Sequence, residues 1–167
     1  MKYNEEDLIN GVNSGNRVSL SRTISLIESD KSAIFRIINS LNKRSQSSYV
    51  VGITGPPGAG KSTLTNRLIQ NFRSKKLTVA VLAVDPSSPF TGGAVLGDRI
   101  RMQEHALDDG VFIRSIGSRG DLGGLSSATS GIIKLFDAFG IDIIKATMDI
   151  ALGKELDFND LVTKYCM

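Results

Sequence analysis

The chain has 167 residues, 41% hydrophobic and 22% charged, with a formal net charge of +3 from 20 Lys and Arg against 17 Asp and Glu. That length suits one globular domain, the balance excludes a disordered or fibrous chain, and so small a surplus of base, with no basic block, points away from nucleic acid. A lone cysteine, Cys166, and a lone histidine, His105, exclude an intrachain disulfide and a zinc cage, and no run nears the roughly 18 apolar residues of a membrane span.

The opening MKYNEEDL carries acid where a leader carries base and apolar residues, so a cytoplasmic location without a membrane partner is expected. Residues 5–42 are predicted helical, because Leu20, Ile24 and Ile27, then Ile34, Ile37, Ile38 and Leu41, recur at helical spacing. The polar run from Asn42 to Ser48 reads as a loop. Tyr49 to Thr54 has the β-branched character of a buried strand; Leu64, Leu68, Ile69 and Phe72 then make one face of a helix ending at Lys75 and Lys76. Thr78 to Val84 is a second buried strand, parallel to the first through a right-handed crossover.

Asp85 to Gly97 has turn chemistry, Asp98 can open a helix running to His105, and Val111 to Arg114 is a short strand. Ile116 to Gly124 reads as a glycine-bearing loop, followed by a helix carrying Ile132, Ile133 and Phe136 and by an apolar run from Ile141 to Ile144. The alternation predicts an α/β fold, a three-layer sandwich around a mainly parallel sheet. Three parts are expected: a helical segment over 1–45, an α/β domain over 46–144 and a divergent helical tail over 145–167.

The sharpest chemical signal is Gly55, Pro56, Pro57, Gly58, Ala59, Gly60, Lys61, Ser62, which fits G-x-x-x-x-G-K-[ST] between a predicted strand and a predicted helix. Such glycines let backbone amides curl around an anion, and the helix aims its positive end at the same phosphates. Lys61 adds a mobile charge for the outer phosphates, and the Ser62 hydroxyl is a magnesium ligand.

Asp85 ends the second strand, where ligands of open α/β sheets bind; it either holds a metal through water or caps the turn begun by Pro86 and Ser87. Asp98 is either a helix N-cap or a loop carboxylate that meets the metal or orients water. His105 reads as a helix-surface or packing residue more than a base, Phe90 as folded back on the core, and Arg99, Arg101, Arg114 and Arg119 as solvated.

VVGITGPPGAGKSTL, VAVLAVDPSSPFTGGAVLGDRIRM and VFIRSIGSRGDLGGLS together closely resemble the GTPases that chaperone methylmalonyl-CoA mutase, the ArgK/MeaB or LAO/AO transport family. GNRVSLSRTISLIES is similar to that family's N-terminal helical segment, so the resemblance runs from about Asp7 to Ile144. It implies a P-loop NTPase fold and GTP and Mg2+ as cofactors. It also implies GTP-gated delivery of adenosylcobalamin to the mutase, a homodimer in the family, and no nucleic acid or membrane partner.

Carried over, Gly55 to Thr63 hold the phosphates, Lys61 neutralises developing charge, Ser62 ligates magnesium, and Asp85 and Asp98 are acids of the magnesium and switch region. The segment Gly92 to Met102 would be the first switch. Lys61 and Asp98 are thus the catalytic candidates, and Ser62, Asp85 and Asp98 the metal candidates.

After Ile144 the sequence departs from the family's pattern, which continues roughly as ETVGVGQ. Thr147 stands where that glutamate would be and Ile150 where the glycine would be, while Asp149 lies on the same strand face about 7 Å further along. The guanine-reading N-K-x-D motif is not matched, since Asn42 and Lys43 are followed by Arg44 and Ser45. A shortened family member without its dimerisation segment is therefore expected. The competing readings are an ATP-dependent P-loop kinase or ATPase, and a non-catalytic nucleotide-binding remnant with an exposed sheet edge.

Overall fold

The computed structural model describes residues 4–42, 47–56, 58–85, 103–105, 107–117 and 127–149. Two compact units emerge: Met1–Ser48 with Leu125–Asp142, and Tyr49–Gly124 with Ile143–Met167.

The first unit is helical. Helix α1 (Glu5–Asn13) starts at Asn4, whose side chain accepts from the Glu6 amide; α2 (Arg17–Ser29) starts at Asn16, whose side chain accepts from Ser19. Each amide side chain satisfies a donor that the first helical turn leaves open. Helix α3 (Ala33–Ser40) follows, and a later helix, α5 (Ser127–Phe139), packs against α1, α2 and α3. Leu20, Ile24, Ile27, Ile37, Leu41, Ile132, Ile133 and Phe136 are buried, as their helical spacing predicts, while Ile34 and Ile38 are half-buried and Leu8, Val12 and Leu135 add to the core. The Asp137 carboxylate accepts the Ser48 amide at 2.6 Å, tying this unit's last helix to the residue before the sheet.

The second unit is a parallel sheet of four strands, β1 (Tyr49–Gly55), β2 (Val79–Asp85), β3 (Val111–Gly117) and β4 (Ile143–Asp149), in the order β1-β4-β2-β3. The α/β class and the parallel sheet expected from sequence are thus present. β1 and β2 are joined through α4 (Lys61–Ser74) and leave one place between them, which β4 fills. Ile69 of α4 packs with Val79, Val81, Val111 and Ile143, and Val51, Phe72, Leu77 and Ile113 border this cluster. Alternation along each strand places every second residue from these, on to 55, 85 and 149, on the α4 face.

Three expectations are corrected. The tail expected to be helical from Lys145 is strand over its first residues, because 145–149 continue β4; residues 150–167 lie outside the described residues. Residues 125–142, assigned from sequence to the α/β domain, group with the N-terminal helices. β3 runs on to Gly117 where a loop was expected from Ile116, since its pairing with β2 continues to Asp85. No described helix is long and apolar enough to cross a membrane.

Candidate functional site

β1 delivers Gly55 to the C-terminal rim of the sheet and α4 begins at Lys61, so a short loop has to turn the chain around. It does so with Gly55, Gly58 and Gly60 at φ of +153°, +80° and +82°. An L side chain in the left-handed region costs about 1–2 kcal/mol. Among the described residues, apart from the adjacent ones, no heavy atom lies within 4 Å of where a Cβ on Gly58 or Gly60 would stand, so the requirement for glycine that they set is conformational rather than steric. The same open space leaves the loop's backbone accessible to an anion.

Gly60 is the N-cap of α4 and has no side chain to cap it; the first turn, Lys61-Ser62-Thr63-Leu64, contains no acid. The positive end of a helix that starts on glycine, with no acid in its first turn, suits an external anion. Lys61 is half-buried and its Nζ donates to the carbonyls of Gly55 at 2.8 Å and Pro56 at 2.9 Å, folding the ammonium back over the loop. The Thr65 hydroxyl donates to the Lys61 carbonyl at 2.7 Å and braces the first turn. Ser62 is half-buried; Pro56, Ala59 and Thr63 are exposed.

Of the acidic candidates, Asp85 ends β2, opposite Gly117 of β3. It shares the rim and the α4 face with Gly55. Pro57, Asp98, the expected first switch over 92–102, Phe90, Arg99, Arg101, Arg119, Ile150 and Cys166 lie outside the described residues. His105 ends a short 3-10 helix, Gln103–His105; it is 8% exposed and its Nε2 has no hydrogen-bond partner among the described residues. A packing role accounts for it. Arg114, expected to be solvated, is half-buried in β3 opposite Leu82.

Sequence reasoning missed two features. Arg73 and Asp108 form a bidentate pair at the other end of the sheet, a contact between positions far apart in the chain that no local pattern announces. The position of Asp149 was legible as a strand-face residue, but its alignment with Gly55 requires the strand pairing.

The family profile described as "Methylmalonyl Co-A mutase-associated GTPase MeaB" matches residues 20–152. That match ends at residue 152, within the stretch 145–167 read from sequence as divergent. Among curated relatives, a Pyrococcus abyssi protein provisionally named a GTPase is 52% identical over 139 residues, covering 83% of this chain and 43% of its own length. GTPase ArgK of Escherichia coli is 37% identical over 134 residues, 78% of this chain and 40% of the relative. The mouse protein named methylmalonic aciduria type A homolog, mitochondrial, is 35% identical over 151 residues, 82% of this chain and 36% of the relative. The chain thus spans less than half the length of these relatives. A crystal structure of an LAO/AO transport system kinase superimposes with a TM-score of 0.67 at 24% identity, over 90% of this chain and 46% of that one, a likeness of fold.

Proposed function

The chain belongs to the methylmalonyl-CoA mutase-associated GTPase family MeaB, and on that footing we propose that it binds GTP with Mg2+ at the loop Gly55–Thr63. As a working role we propose a nucleotide-dependent metallochaperone for an adenosylcobalamin-dependent mutase. The family's name and the mouse relative's name support that client.

The observation that carries the binding reading is the loop itself: three glycines at positive φ, two of them clear of other described residues, and a helix that starts on glycine beside a lysine. The loop amides and the α4 terminus would bind the inner phosphates, needing little rearrangement. Lys61 would exchange its two carbonyl partners for phosphate oxygens, which offer a full opposite charge in place of dipoles. Phosphoryl transfer depends chiefly on positioning and charge stabilisation, so Lys61 is the residue proposed to matter most.

The residues present fit Mg2+: Ser62 in the first turn of α4 and Asp85 at the end of β2 are hard oxygen donors on the face that α4 covers. When bound, the ion neutralises phosphate charge. Asp98 is retained in this proposal as an acid of the switch region, on the family likeness alone.

Calorimetric titration of the purified chain with GTP and then ATP, each with Mg2+, tests the reading. Selective GTP binding is expected. Preferential ATP binding with phosphorylation of an acceptor would replace it with a kinase, and binding of neither would overturn it.

A further inference from the structure

Helix α4 starts on Gly60, which has no side chain to cap it. A capping Ser or Asp would accept from first-turn amides, the donors that an anion at a helix end uses, and would compete with that anion. The first turn of α4 is held by its carbonyls. The Leu64 amide donates to the Gly60 carbonyl at 2.9 Å, and the Thr65 hydroxyl donates to the Lys61 carbonyl at 2.7 Å. Thr65 is 1% exposed and lies one turn before Ile69, which is fully buried against Val79 and Val81 of β2. Burial and a β-branched side chain stiff at χ1 make Thr65 a rigid point. Lys61 is therefore tied at both ends, by its ammonium to the carbonyls of Gly55 and Pro56 and by its own carbonyl to Thr65.

We infer that Thr65 is a positioning residue for nucleotide binding: its hydroxyl holds the backbone of Lys61, and with it the root of the ammonium that meets the outer phosphates. This rests on the nucleotide-binding reading of the loop and extends it to a buried residue behind the loop. Lys61 is the first residue of α4, and helix ends fray, so a second donor on its carbonyl counts for more than it would in mid-helix. The lysine stem is flexible, so the ammonium reaches the short, directional bonds of a charged pair only from a fixed root. In α2 the buried Thr23 hydroxyl makes the same kind of bond, to the Ser19 carbonyl at 2.8 Å, on a residue with no phosphate-binding group.

GTP affinity of the full chain in Mg2+, read by calorimetry, tests the assignment in Thr65→Val, Thr65→Ser, Thr23→Val, Lys61→Ala and the double variant of Thr65→Val with Lys61→Ala. Thr65→Val keeps the shape of the side chain and removes the donor; it should weaken GTP binding about 2- to 10-fold, the value of one neutral hydrogen bond. Thr65→Ser restores the hydroxyl and should recover most of that loss. Thr23→Val removes a like bond and should bind GTP as wild type does. Beside Lys61→Ala, Thr65→Val should cause no further loss, because the group it positions is gone, whereas a merely structural effect would add. Wild-type affinity in Thr65→Val, no recovery in Thr65→Ser, an equal loss in Thr23→Val, or an additive loss in the double variant overturns the assignment and leaves the loop reading standing. A wild-type chain that binds no GTP overturns both.

Discussion

Arg73 clasps Asp108 through two parallel hydrogen bonds, Nε to Oδ2 at 2.9 Å and Nη2 to Oδ1 at 2.8 Å. Arg73 Nη1 also donates to the Leu77 carbonyl at 2.8 Å, and the Gly110 amide donates to Asp108 Oδ1 at 2.8 Å. The Gly110 carbonyl in turn accepts the Val79 amide at 2.8 Å. One guanidinium thus joins the last turn of α4 to the starts of β2 and β3, at the end of the sheet away from the phosphate loop. A Cβ on Gly110 would collide with that guanidinium.

Gly110→Ala and Arg73→Ala should therefore remove the same linkage. Each is expected to lower the melting temperature, and the double variant should melt within about 2 °C of the worse single one, because residues in one network do not add. Additive losses in a thermal double-mutant cycle would show that Gly110 acts separately.

The pair also carries a pH signature. The Arg73 hydrogen bonds first, then the Gly110 amide, hold the Asp108 carboxyl below its ordinary 3.8. A depressed folded value stabilises the protein above the unfolded value and is lost as pH falls through the folded one. Asp108→Asn should accordingly lower the melting temperature at pH 7, and the gap to wild type should close below pH 3.8. Thermal melts across that range check it.

At the loop, Lys61→Ala should weaken GTP binding roughly 10- to 100-fold, the value of one charge-assisted hydrogen bond, without unfolding the chain. Gly60→Ala should cost about 1–2 kcal/mol of stability through its left-handed backbone, with no clash among the described residues. Calorimetry and urea unfolding read the two effects separately.

Gly131 sits inside α5, where a Cβ would come within 2.9 Å of Ile34 Cγ2 and 3.7 Å of Ile27 Cγ2. Ala would gain about 1 kcal/mol of helix propensity, but overpacking against stiff β-branched neighbours costs about 1–3 kcal/mol. Gly131→Ala should be destabilising by about 1 kcal/mol, and a rise in urea midpoint would show that Ile34 yields.

The strand, loop and helix from Tyr49 to Ser74 were legible because each depends on residues close in the chain: β-branched runs, glycines at fixed spacing, apolar residues on one helical face. The end of β3 was not, since Ser115 and Ile116 gain their strand conformation from ladder partners on β2.

The amino-acid sequence by itself therefore determined the turn chemistry of the phosphate loop and the family the chain belongs to, because both reside in residue types at short spacing. Only the tertiary structure decided that β4 enters between β1 and β2, that position 149 pairs with Gly55, that Arg73 reaches Asp108, and that α5 joins the N-terminal helices. Strand order and register are set by which distant segments bury one another's apolar faces and complete one another's backbone hydrogen bonds, and local preference carries no record of that choice.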